Sequence, residues 1–285
     1  MPELPEIDHL RRSLEPVLLG SVVLRVSLTR PDIVRCGRSR TRRPEQGVRR
    51  RRLLMGERIE RLQRHGKELA IVSRGGASVC IHLGMSGQLW HCPPGERLRR
   101  RDHVHCVWHL GERGRLVFRD PRRFGGLWCY ASLDDLRAVR WSRLGPDALR
   151  IDTRTLRQVL AGTRRSIKAT LLDQGVVAGI GNIYADEILF AAGIHPQSVA
   201  SLLPPDRYRR LANEIRRVLA AAVRRGGSTI RDYVDGNGAA GSYALRHRVY
   251  GRAGQPCTVC GQLLHGITEA QRATVLCPGC QDLFL

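Results

Sequence analysis

Four cysteines near the carboxyl end of the chain stand in two pairs, with two residues between the members of each pair. Sixteen residues separate the first pair from the second. This spacing is typical of zinc sites built from four thiolates. Four thiolates fill a tetrahedral shell and leave no open position, so the sequence predicts one structural zinc ion with no catalytic role. The predicted ligands are Cys257, Cys260, Cys277 and Cys280.

The first six residues, MPELPE, place a proline after the initiator methionine and two glutamates close to it. Loss of Met1, which is usual before a small residue, would leave Pro2 as a secondary α-amine. An α-amine has a pKa of about 7.7–8, so part of it is neutral at pH 7 and able to attack an aldehyde-like carbon. Glu3 and Glu6 would be available for proton transfer. Many chains start with Pro-Glu without such chemistry, so the hexamer alone leaves an ordinary terminus as the alternative.

The chain of 285 residues has 48 basic and 26 acidic side chains, a formal net charge of +22. A protein this basic suits a polyanion, so we expect nucleic acid as its partner; an arginine-rich proteome is the alternative explanation. Only two of the basic residues are lysines, Lys67 and Lys168. An amine exchanges protons where a guanidinium does not, so each lysine is a candidate for chemistry, with chance survival as the alternative.

A glycine-rich run at 174–196 breaks one helical pattern and starts another at Asn182. The free N–H groups at the start of a helix form an anion site, so Asn182 is predicted to cap this helix and to bind a phosphate. An ordinary helical turn is the alternative. The chain has no run of 18 apolar residues and no apolar signal segment, which favours a cytoplasmic protein without a transmembrane helix.

The hydrophobic pattern divides the chain into a β-rich part and a helical part. Apolar residues recur at helical spacing over 5–18, which predicts an amphipathic helix. Short β-rich runs follow between about 21 and 130 and predict a sandwich or barrel. Residues 132–226 show the i, i+3, i+4 spacing of helices. The sequence therefore predicts an α+β protein with a cysteine-rich end.

Five motifs, in this order and spacing, resemble the formamidopyrimidine-DNA glycosylase family over essentially the whole chain. They are MPELPEI at the start, HLGMSG at 82–87, DPRRFGG at 120–126, the run at 171–196, and the segment from VYGR to CPGC at 249–280. The resemblance implies three parts: an N-terminal helix with a β-sandwich, a helix-two-turns-helix domain that includes a loop over the damaged base at 235–242, and a zinc finger. Their predicted bounds are 1–131, 132–244 and 245–285.

The same resemblance implies a bifunctional enzyme whose partner is double-stranded DNA containing oxidised bases. It would be a base-excision-repair glycosylase and AP lyase that removes 8-oxoguanine and formamidopyrimidines and then cuts the strand by β,δ-elimination. The damaged nucleotide must leave the base stack before it can react. We expect a monomer in the bacterial cytoplasm, associated with the nucleoid through DNA and not with a membrane.

Residue by residue, the resemblance assigns the chemistry to the N-terminus and to one lysine. Pro2 would attack C1′ and form a Schiff base, Glu3 would protonate the deoxyribose as its ring opens, and Glu6 would lie close to the flipped sugar. Lys67 would assist proton transfer and bind the backbone at the lesion. The identity of this residue as a lysine is then explained by chemistry, because an arginine cannot exchange a proton near neutral pH.

Other side chains would hold the DNA. Asn182 and Arg272 would bind phosphates around the flipped nucleotide. Arg272 is also a candidate catalytic residue in the late elimination step, although a guanidinium holds its proton too tightly to be a good acid. Met85, Arg122 and Phe124 would fill the gap that the extruded base leaves. The remaining predicted DNA contacts are Arg101, Arg123, Arg164 and Lys168.

The loop at 235–242 departs from the family pattern, since Ala239 stands where bacterial members often carry a lysine. The resemblance implies that this loop covers the flipped 8-oxoguanine largely through backbone N–H groups, a recognition that the change to alanine leaves in place. The alternatives to this function are an endonuclease VIII-type enzyme for oxidised pyrimidines, a DNA-binding paralogue without catalysis, and a zinc-finger regulator. The presence of Pro2, Glu3 and Lys67 argues against the two non-catalytic alternatives.

Overall fold

The first helix, α1 (Leu4–Leu18), begins at a capping box. Glu3 is its N-cap residue, and the Glu3 side chain accepts the N–H of the third helical residue. In return, the Glu6 carboxylate accepts the Glu3 N–H at 2.8 Å. These two bonds satisfy N–H groups that a helix start otherwise leaves without partners. The helix that the sequence predicts over 5–18 is confirmed.

The chain forms two compact units in the computed structural model. The first unit comprises Met1–Arg143 and Gly226–Gly241, and the second comprises Leu144–Arg225 and Ser242–Leu285. The first is rich in β-strands and the second in helices, which confirms the α+β class. The structure describes residues 1–36, 50–98, 102–228, 236 and 241–285.

Two sheets form the β-structure of the first unit in the part of the chain that the structure describes. Their strands, in chain order, are β1 (Arg25–Leu28), β2 (Val34–Cys36), β3 (Ile59–His65), β4 (Glu68–Ser73), β5 (Ser78–His82), β6 (Gln88–Cys92), β7 (Val104–His109), β8 (Arg115–Arg119) and β9 (Gly126–Tyr130). One sheet has the order β2-β9-β5-β4-β3 and the other the order β1-β7-β8-β6. Neighbouring strands are antiparallel except β2 and β9, which are parallel.

The two sheets and α1 share one hydrophobic core. Leu10 and Leu14 of α1, Ile71 and Ile81 of the five-stranded sheet, and Phe118 of the four-stranded sheet are each at most 1% exposed. Burial of one such side chain stabilises a fold by about 1.5–3 kcal/mol. The helix is therefore fastened to the sandwich along its apolar face, which fixes where residues 2–6 lie in this unit.

Helix α2 (Leu133–Val139) belongs to the first unit, although the sequence predicts a boundary at 131/132. Ser132 caps α2 by accepting the N–H of Asp135 at 3.0 Å. The Ser78 hydroxyl donates to the Ser132 carbonyl at 3.2 Å, and α2 packs on β5 and β9. These contacts keep the chain in the first unit as far as Arg143.

The described residues of the segment 226–241 also lie in the first unit, whereas the sequence assigns them to the helical domain. The Gly236 N–H donates to Ser13 Oγ at 3.0 Å, and the Gly236 carbonyl accepts the His91 N–H at 2.8 Å. The Ser228 N–H donates to Glu6 Oε1 at 2.6 Å. The three-part division stays a prediction, and the compact units differ from it at these two places.

Four α-helices and a β-hairpin form the framework of the second unit within the described residues. They are α3 (Thr153–Leu160), α4 (Ile167–Leu172), α5 (Asn182–Ala192), α6 (Pro205–Arg224), β10 (His265–Glu269) and β11 (Arg272–Leu276). Helix α5 is buried from Ile183 to Ala192, and Gly193 ends it with a left-handed φ of +69°. No helix among the described residues combines the length and the apolarity that crossing a bilayer requires.

Candidate functional site

The four predicted zinc ligands converge in the second unit. Their sulfur atoms lie within 4.8 Å of one another. The Cys257 and Cys280 sulfurs are 3.9 Å apart, and those of Cys260 and Cys277 are 3.4 Å apart. Tetrahedral zinc with Zn–S bonds of about 2.3 Å places sulfurs about 3.8 Å apart, so this cluster fits the ion.

Backbone N–H groups favour the thiolate at one cysteine of the cluster. Burial opposes ionisation of the Cys257 thiol, but the N–H groups of Cys260 and Val259, with hydrogen bonds from the Cys277 and Cys260 side chains, outweigh it and lower the Cys257 pKa to about 7. Burial and the neighbouring thiols raise the pKa of Cys277 and of Cys280, so a bound cation is needed to hold those two as thiolates. The Val259 N–H lies 3.4 Å from the Cys257 sulfur. Zinc binds thiolates, so a thiol that ionises near neutral pH is suited to the site.

At the N-terminus of the first unit, two buried carboxylates lie at the start of α1. Pro2 is buried, while Met1 is 53% exposed. Glu3 is 2% exposed and Glu6 is 1% exposed. The Glu6 carboxylate accepts the Glu3 N–H through one oxygen and the Ser228 N–H through the other. Glu6 is thus committed to holding the backbone beside Pro2, and Glu3 is the carboxylate next to it in the chain.

Lys67 lies in the first unit in a two-residue turn, Gly66-Lys67, between β3 and β4. The Lys67 residue is 7% exposed. Gly66 has a left-handed φ of +54°, the conformation that a type II′ hairpin turn requires at its first central position. The carboxylate of Glu68, which follows the turn, accepts from Arg140 Nε at 2.8 Å and from Trp141 Nε1 at 3.0 Å.

Met85 and Phe124 are large apolar side chains that the first unit leaves exposed, at 50% and 45%. Met85 lies in the turn between β5 and β6, and Phe124 in the turn between β8 and β9. The Arg122 guanidinium stacks 4.6 Å above the centre of the Phe124 ring. The two turns are in contact, because a Cβ added at Gly84 would lie 2.5 Å from the Phe124 carbonyl carbon.

Asp120 and Ser86 tie these two turns together. The Ser86 hydroxyl donates to Asp120 Oδ1 at 2.7 Å and accepts the Arg122 N–H at 3.2 Å. The Gly125 N–H donates to Asp120 Oδ2 at 2.7 Å. Sequence reasoning missed both residues; the signal was an acidic residue at the start of the basic turn DPRRFGG. We call Met85, Arg122 and Phe124 the wedge residues.

Two predicted phosphate contacts, Arg123 and Arg164, lie on the surface. Arg123 has a left-handed φ of +53° and pairs with Asp32 Oδ2 at 3.1 Å. This pair is half-exposed, and pairs of that kind contribute about 0–1 kcal/mol, so its loss would cost the fold little. Arg164 is exposed in the turn before α4. Arg101, Ala239 and most of the loop at 235–242 lie outside the described residues.

Asn182 and Arg272 are both linked to Ala273 of the second unit, Asn182 by a hydrogen bond and Arg272 as the preceding residue in the chain. Asn182 Nδ2 donates to the Ala273 carbonyl at 2.9 Å. Asn182 does not cap α5, because Gly181 is the N-cap residue and Asn182 is the first helical one. Arg272 is exposed and follows a hairpin tip at which Ala270 and Gln271 both have a positive φ, of 50° and 57°.

The structure corrects the prediction that Lys168 contacts DNA. Its side chain is 0% exposed, and Nζ donates to Asp186 Oδ1 at 2.6 Å and to Thr274 Oγ1 at 2.5 Å. Asp186 Oδ2 accepts the Val275 N–H at 3.0 Å. The ammonium is thus bound inside the protein, where it joins α4, α5 and β11. Burial raises the Asp186 pKa to about 6, although Lys168 lowers it in part.

Sequence reasoning also missed Glu187, the residue after Asp186. The Glu187 carboxylate accepts the N–H groups of three consecutive residues, at distances between 2.9 and 3.0 Å. The only signal for it was a pair of acidic residues within the apolar helix NIYADEILFAA. Adjacent carboxylates on α5 thus hold two segments of the cysteine-rich end. The donors to Glu187 are Arg248, Val249 and Tyr250.

Comparison with known proteins gives consistent matches along the chain. Residues 1–127 match the model of the formamidopyrimidine-DNA glycosylase N-terminal domain, 144–234 that of the formamidopyrimidine-DNA glycosylase H2TH domain, and 254–283 that of a zinc finger found in FPG and IleRS. The last match and the cysteine cluster confirm the prediction of one structural zinc ion.

Similar proteins that carry the name formamidopyrimidine-DNA glycosylase or FPG come from several bacteria. The formamidopyrimidine-DNA glycosylase of Ectopseudomonas mendocina is 44% identical and that of Shewanella halifaxensis is 38% identical, each over 99% of this chain and 100% of the relative. The MutM (FPG) protein of Thermus thermophilus is 38% identical, with a TM-score of 0.83 over 98% of both chains. A Lactococcus lactis FPG variant in complex with Fapy-dG containing DNA is 31% identical, with a TM-score of 0.86 over 99% of this chain and 100% of that one.

We predict that removal of zinc unfolds the finger and abolishes specific DNA binding while the first unit stays folded. Without the ion, the four thiolates have nothing to hold them together, and small zinc domains depend on the metal for folding. The substitution Cys277→Ser should lower the zinc content of purified protein well below one ion per chain, and Cys92→Ser, away from the cluster, should not. A Cys277→Ser protein that lacks zinc and binds a lesion duplex normally would contradict the prediction.

We predict that Lys168→Met lowers the free energy of unfolding by about 3–5 kcal/mol, because it leaves the Asp186 charge buried without its partner. The loss should be larger at pH 8 than at pH 5. A carboxyl whose folded pKa is raised is neutral and tolerated at low pH, and its contribution to stability falls as the pH rises through that value. Denaturant unfolding at both pH values measures the effect.

The control for this prediction is Arg165→Gln, which breaks a half-exposed pair with Asp173 and should cost about 1 kcal/mol or less. The double substitution Lys168→Met, Asp186→Leu should recover most of the lost stability, since it removes both charges. Equal losses of unfolding free energy for Lys168→Met and Arg165→Gln would show that the buried pair stabilises the fold no more than an exposed pair does.

Proposed function

The chain belongs to the formamidopyrimidine-DNA glycosylase family and is therefore a DNA glycosylase. We propose that it removes oxidised purines from duplex DNA and then cleaves the strand as an AP lyase. The observation that carries the proposal is the N-terminus, where Pro2 is buried and the buried Glu6 carboxylate accepts the N–H of the next residue, Glu3. The Fapy-dG in the DNA of the similar Lactococcus lactis complex supports the substrate class. We further propose that the enzyme acts as a monomer in the bacterial cytoplasm.

The proposed reaction begins once Met1 has been removed. The lone pair of the Pro2 nitrogen forms a bond to C1′ of the damaged nucleotide. The base leaves with the electrons of its glycosidic bond and takes up a proton, and the Pro2 nitrogen gives up its N–H proton. The deoxyribose ring opens as Glu3 protonates its ring oxygen, which leaves an iminium between Pro2 and C1′. Lys67 assists these proton transfers.

Strand cleavage follows from the same intermediate. An iminium at C1′ acidifies the hydrogen on C2′, so loss of that proton expels the 3′ phosphate, and a second elimination expels the 5′ phosphate. Hydrolysis of the iminium then releases the sugar fragment and restores the Pro2 amine. In this scheme Glu6 holds the backbone and transfers no proton, which agrees with its two bonds to backbone N–H groups.

The wedge residues account for how the base leaves the stack. An exposed Met85 and an exposed Phe124 with Arg122 stacked on it are suited to insertion between base pairs, because apolar side chains replace lost stacking. We propose that Asn182, Arg272, Arg123 and Arg164 bind phosphates of the bent duplex. An enzyme for oxidised pyrimidines is the second candidate, and the intact set of wedge residues favours the oxidised-purine enzyme over it.

We predict that borohydride treatment of the mature protein on an 8-oxoguanine duplex produces a covalent adduct through the Pro2 nitrogen. Borohydride reduces an iminium to a stable amine, and the neutral fraction of an α-amine near pH 7 far exceeds that of an ordinary lysine. Peptide mapping of the adduct locates the bond. An adduct on Lys67 or on another side chain would contradict the proposal.

Two variants make this experiment decisive. An N-terminal tag that is left in place should abolish base removal and the adduct together, while the same protein after tag removal should regain both. Pro2→Gly keeps a primary amine and should retain part of the activity. A tagged protein that removes the base at the full rate would exclude the N-terminal amine as nucleophile.

We predict that DNA affinity falls steeply with salt, because a net charge of +22 acts on phosphates. If six to ten phosphates are neutralised, a rise from about 50 to 200 mM salt costs roughly 10³–10⁵ in affinity. Titration of a lesion duplex at several salt concentrations measures the slope of log affinity against log salt. A slope shallower than about −3 would place most of the charge away from the DNA.

A further inference from the structure

The Arg64 side chain joins two parts of the proposed active site that are far apart in sequence. Arg64 Nε donates to Asp8 Oδ1 at 3.2 Å, and Arg64 Nη1 donates to the Gly66 carbonyl at 3.0 Å. Asp8 lies on α1, the helix that starts beside Pro2, and Gly66 is the first residue of the Lys67 turn. One guanidinium therefore connects the N-terminal helix with the turn that carries the lysine.

The connection is buried, since the side chains of Arg64 and Asp8 are each 6% exposed. Burial of Asp8 works against its charged form, but the cations Arg64, Arg11 and Arg12 outweigh it and hold the Asp8 pKa below its usual value. The carboxylate is therefore charged at neutral pH. An ion pair out of water is costly to break from one side, because the remaining charge is left without a partner.

We propose that Arg64 is a positioning residue that holds Lys67 in register with the N-terminal amine and Glu3. The inference rests on the proposed function, in which Pro2 and Lys67 act on the same nucleotide. Displacement of a catalytic group by about 1 Å can cost about 100-fold in rate. At the other end of the turn, Glu68 accepts hydrogen bonds from Arg140 and Trp141, which lie after α2. Only the Arg64 bond, among these three, connects the turn directly with α1.

Arginine suits this role better than lysine does. The planar guanidinium offers donors in fixed directions, so it serves the Asp8 carboxylate and the Gly66 carbonyl at once. A lysine ammonium would keep the charge opposite Asp8 and lose the fixed geometry. Arg64→Lys therefore separates charge from positioning, and Arg64→Gln removes both.

Arg12 provides a matched control, because it pairs with the same carboxylate from the surface of α1. Arg12 Nε donates to Asp8 Oδ2 at 2.8 Å, and its side chain is 55% exposed. Arg12 and Asp8 lie on the same helix, four residues apart. Arg12→Gln thus removes a cation from Asp8 and leaves the connection between α1 and the turn intact.

The experiment measures single-turnover base removal and equilibrium DNA affinity for wild type, Arg64→Gln, Arg64→Lys and Arg12→Gln on an 8-oxoguanine duplex. We expect Arg64→Gln to lower the rate about 10- to 100-fold with affinity nearly unchanged, because a misplaced Lys67 still carries its charge. Arg64→Lys should be intermediate, and Arg12→Gln should match wild type. A wild-type rate in Arg64→Gln, or an equal loss in Arg12→Gln, would overturn the proposal.

A double-mutant cycle separates positioning from a general loss of stability. If Arg64 acts through Lys67, Arg64→Gln should cause little further loss of rate in a Lys67→Ala background, whereas independent effects would multiply. Multiplying effects would overturn the proposal. Thermal unfolding and zinc content verify that each variant is folded. Should Arg64→Gln fail to fold, Asp8→Asn tests the same connection from the other side, with a slower rate expected and a wild-type rate excluding the idea.

These outcomes are distinguishable from failure of the proposed function. If the N-terminal amine is not the nucleophile, borohydride produces no Pro2 adduct in the wild-type protein. If only the positioning role is wrong, wild type and Arg64→Gln produce the Pro2 adduct at the same rate.

Discussion

A carboxylate that is removed from water must be matched by N–H donors or by cations, because an unmatched charge in the interior is strongly unfavourable. This requirement organises the functional elements of the protein. Glu6 accepts two backbone N–H groups and thereby fixes the start of the chain. Glu187 accepts three and fixes the segment before the zinc ligands. Glu6 binds the backbone of Ser228 as well as that of Glu3, and Glu187 binds Arg248, so each carboxylate joins its helix to backbone that is distant in sequence.

At the wedge residues, a buried carboxylate holds two turns whose apolar side chains stay exposed to solvent. Large apolar side chains are normally buried on folding, but Met85 and Phe124 remain 50% and 45% exposed. The buried Asp120 makes this arrangement stable, since its two oxygens bind both turns, one through Ser86 and the other through Gly125. The exposed side chains are therefore carried on two turns that are hydrogen-bonded to each other, an arrangement suited to insertion into a base stack.

The two lysines have opposite structural roles although their chemistry is the same. Lys168 is fully buried, where it neutralises Asp186 and bonds to Thr274, so its role is to hold α4, α5 and β11 together. Lys67 lies in a turn that is anchored from both ends by Arg64 and Glu68. A compact ammonium suits the first site, because one carboxylate oxygen and one hydroxyl accept from a single nitrogen there and no planar fork is needed. Proton exchange is the proposed reason for the second.

The sequence by itself determined the zinc ligands, the first helix and the division into β-rich and helical parts, because each depends on spacing within a short stretch of chain. CxxC pairs and helical periodicity are local, and local signals survive without a three-dimensional context. The order of strands in the sheets, the anchors Asp120 and Glu187, and the burial of Lys168 depended on tertiary structure. Each of these features depends on contacts between residues that are far apart in sequence, and no local pattern marks such contacts. The sequence around a lysine likewise does not reveal whether the fold places a carboxylate or a phosphate beside it. The tertiary structure decided that Lys168 meets Asp186, because α4 and α5 pack together and leave the ammonium no access to the surface.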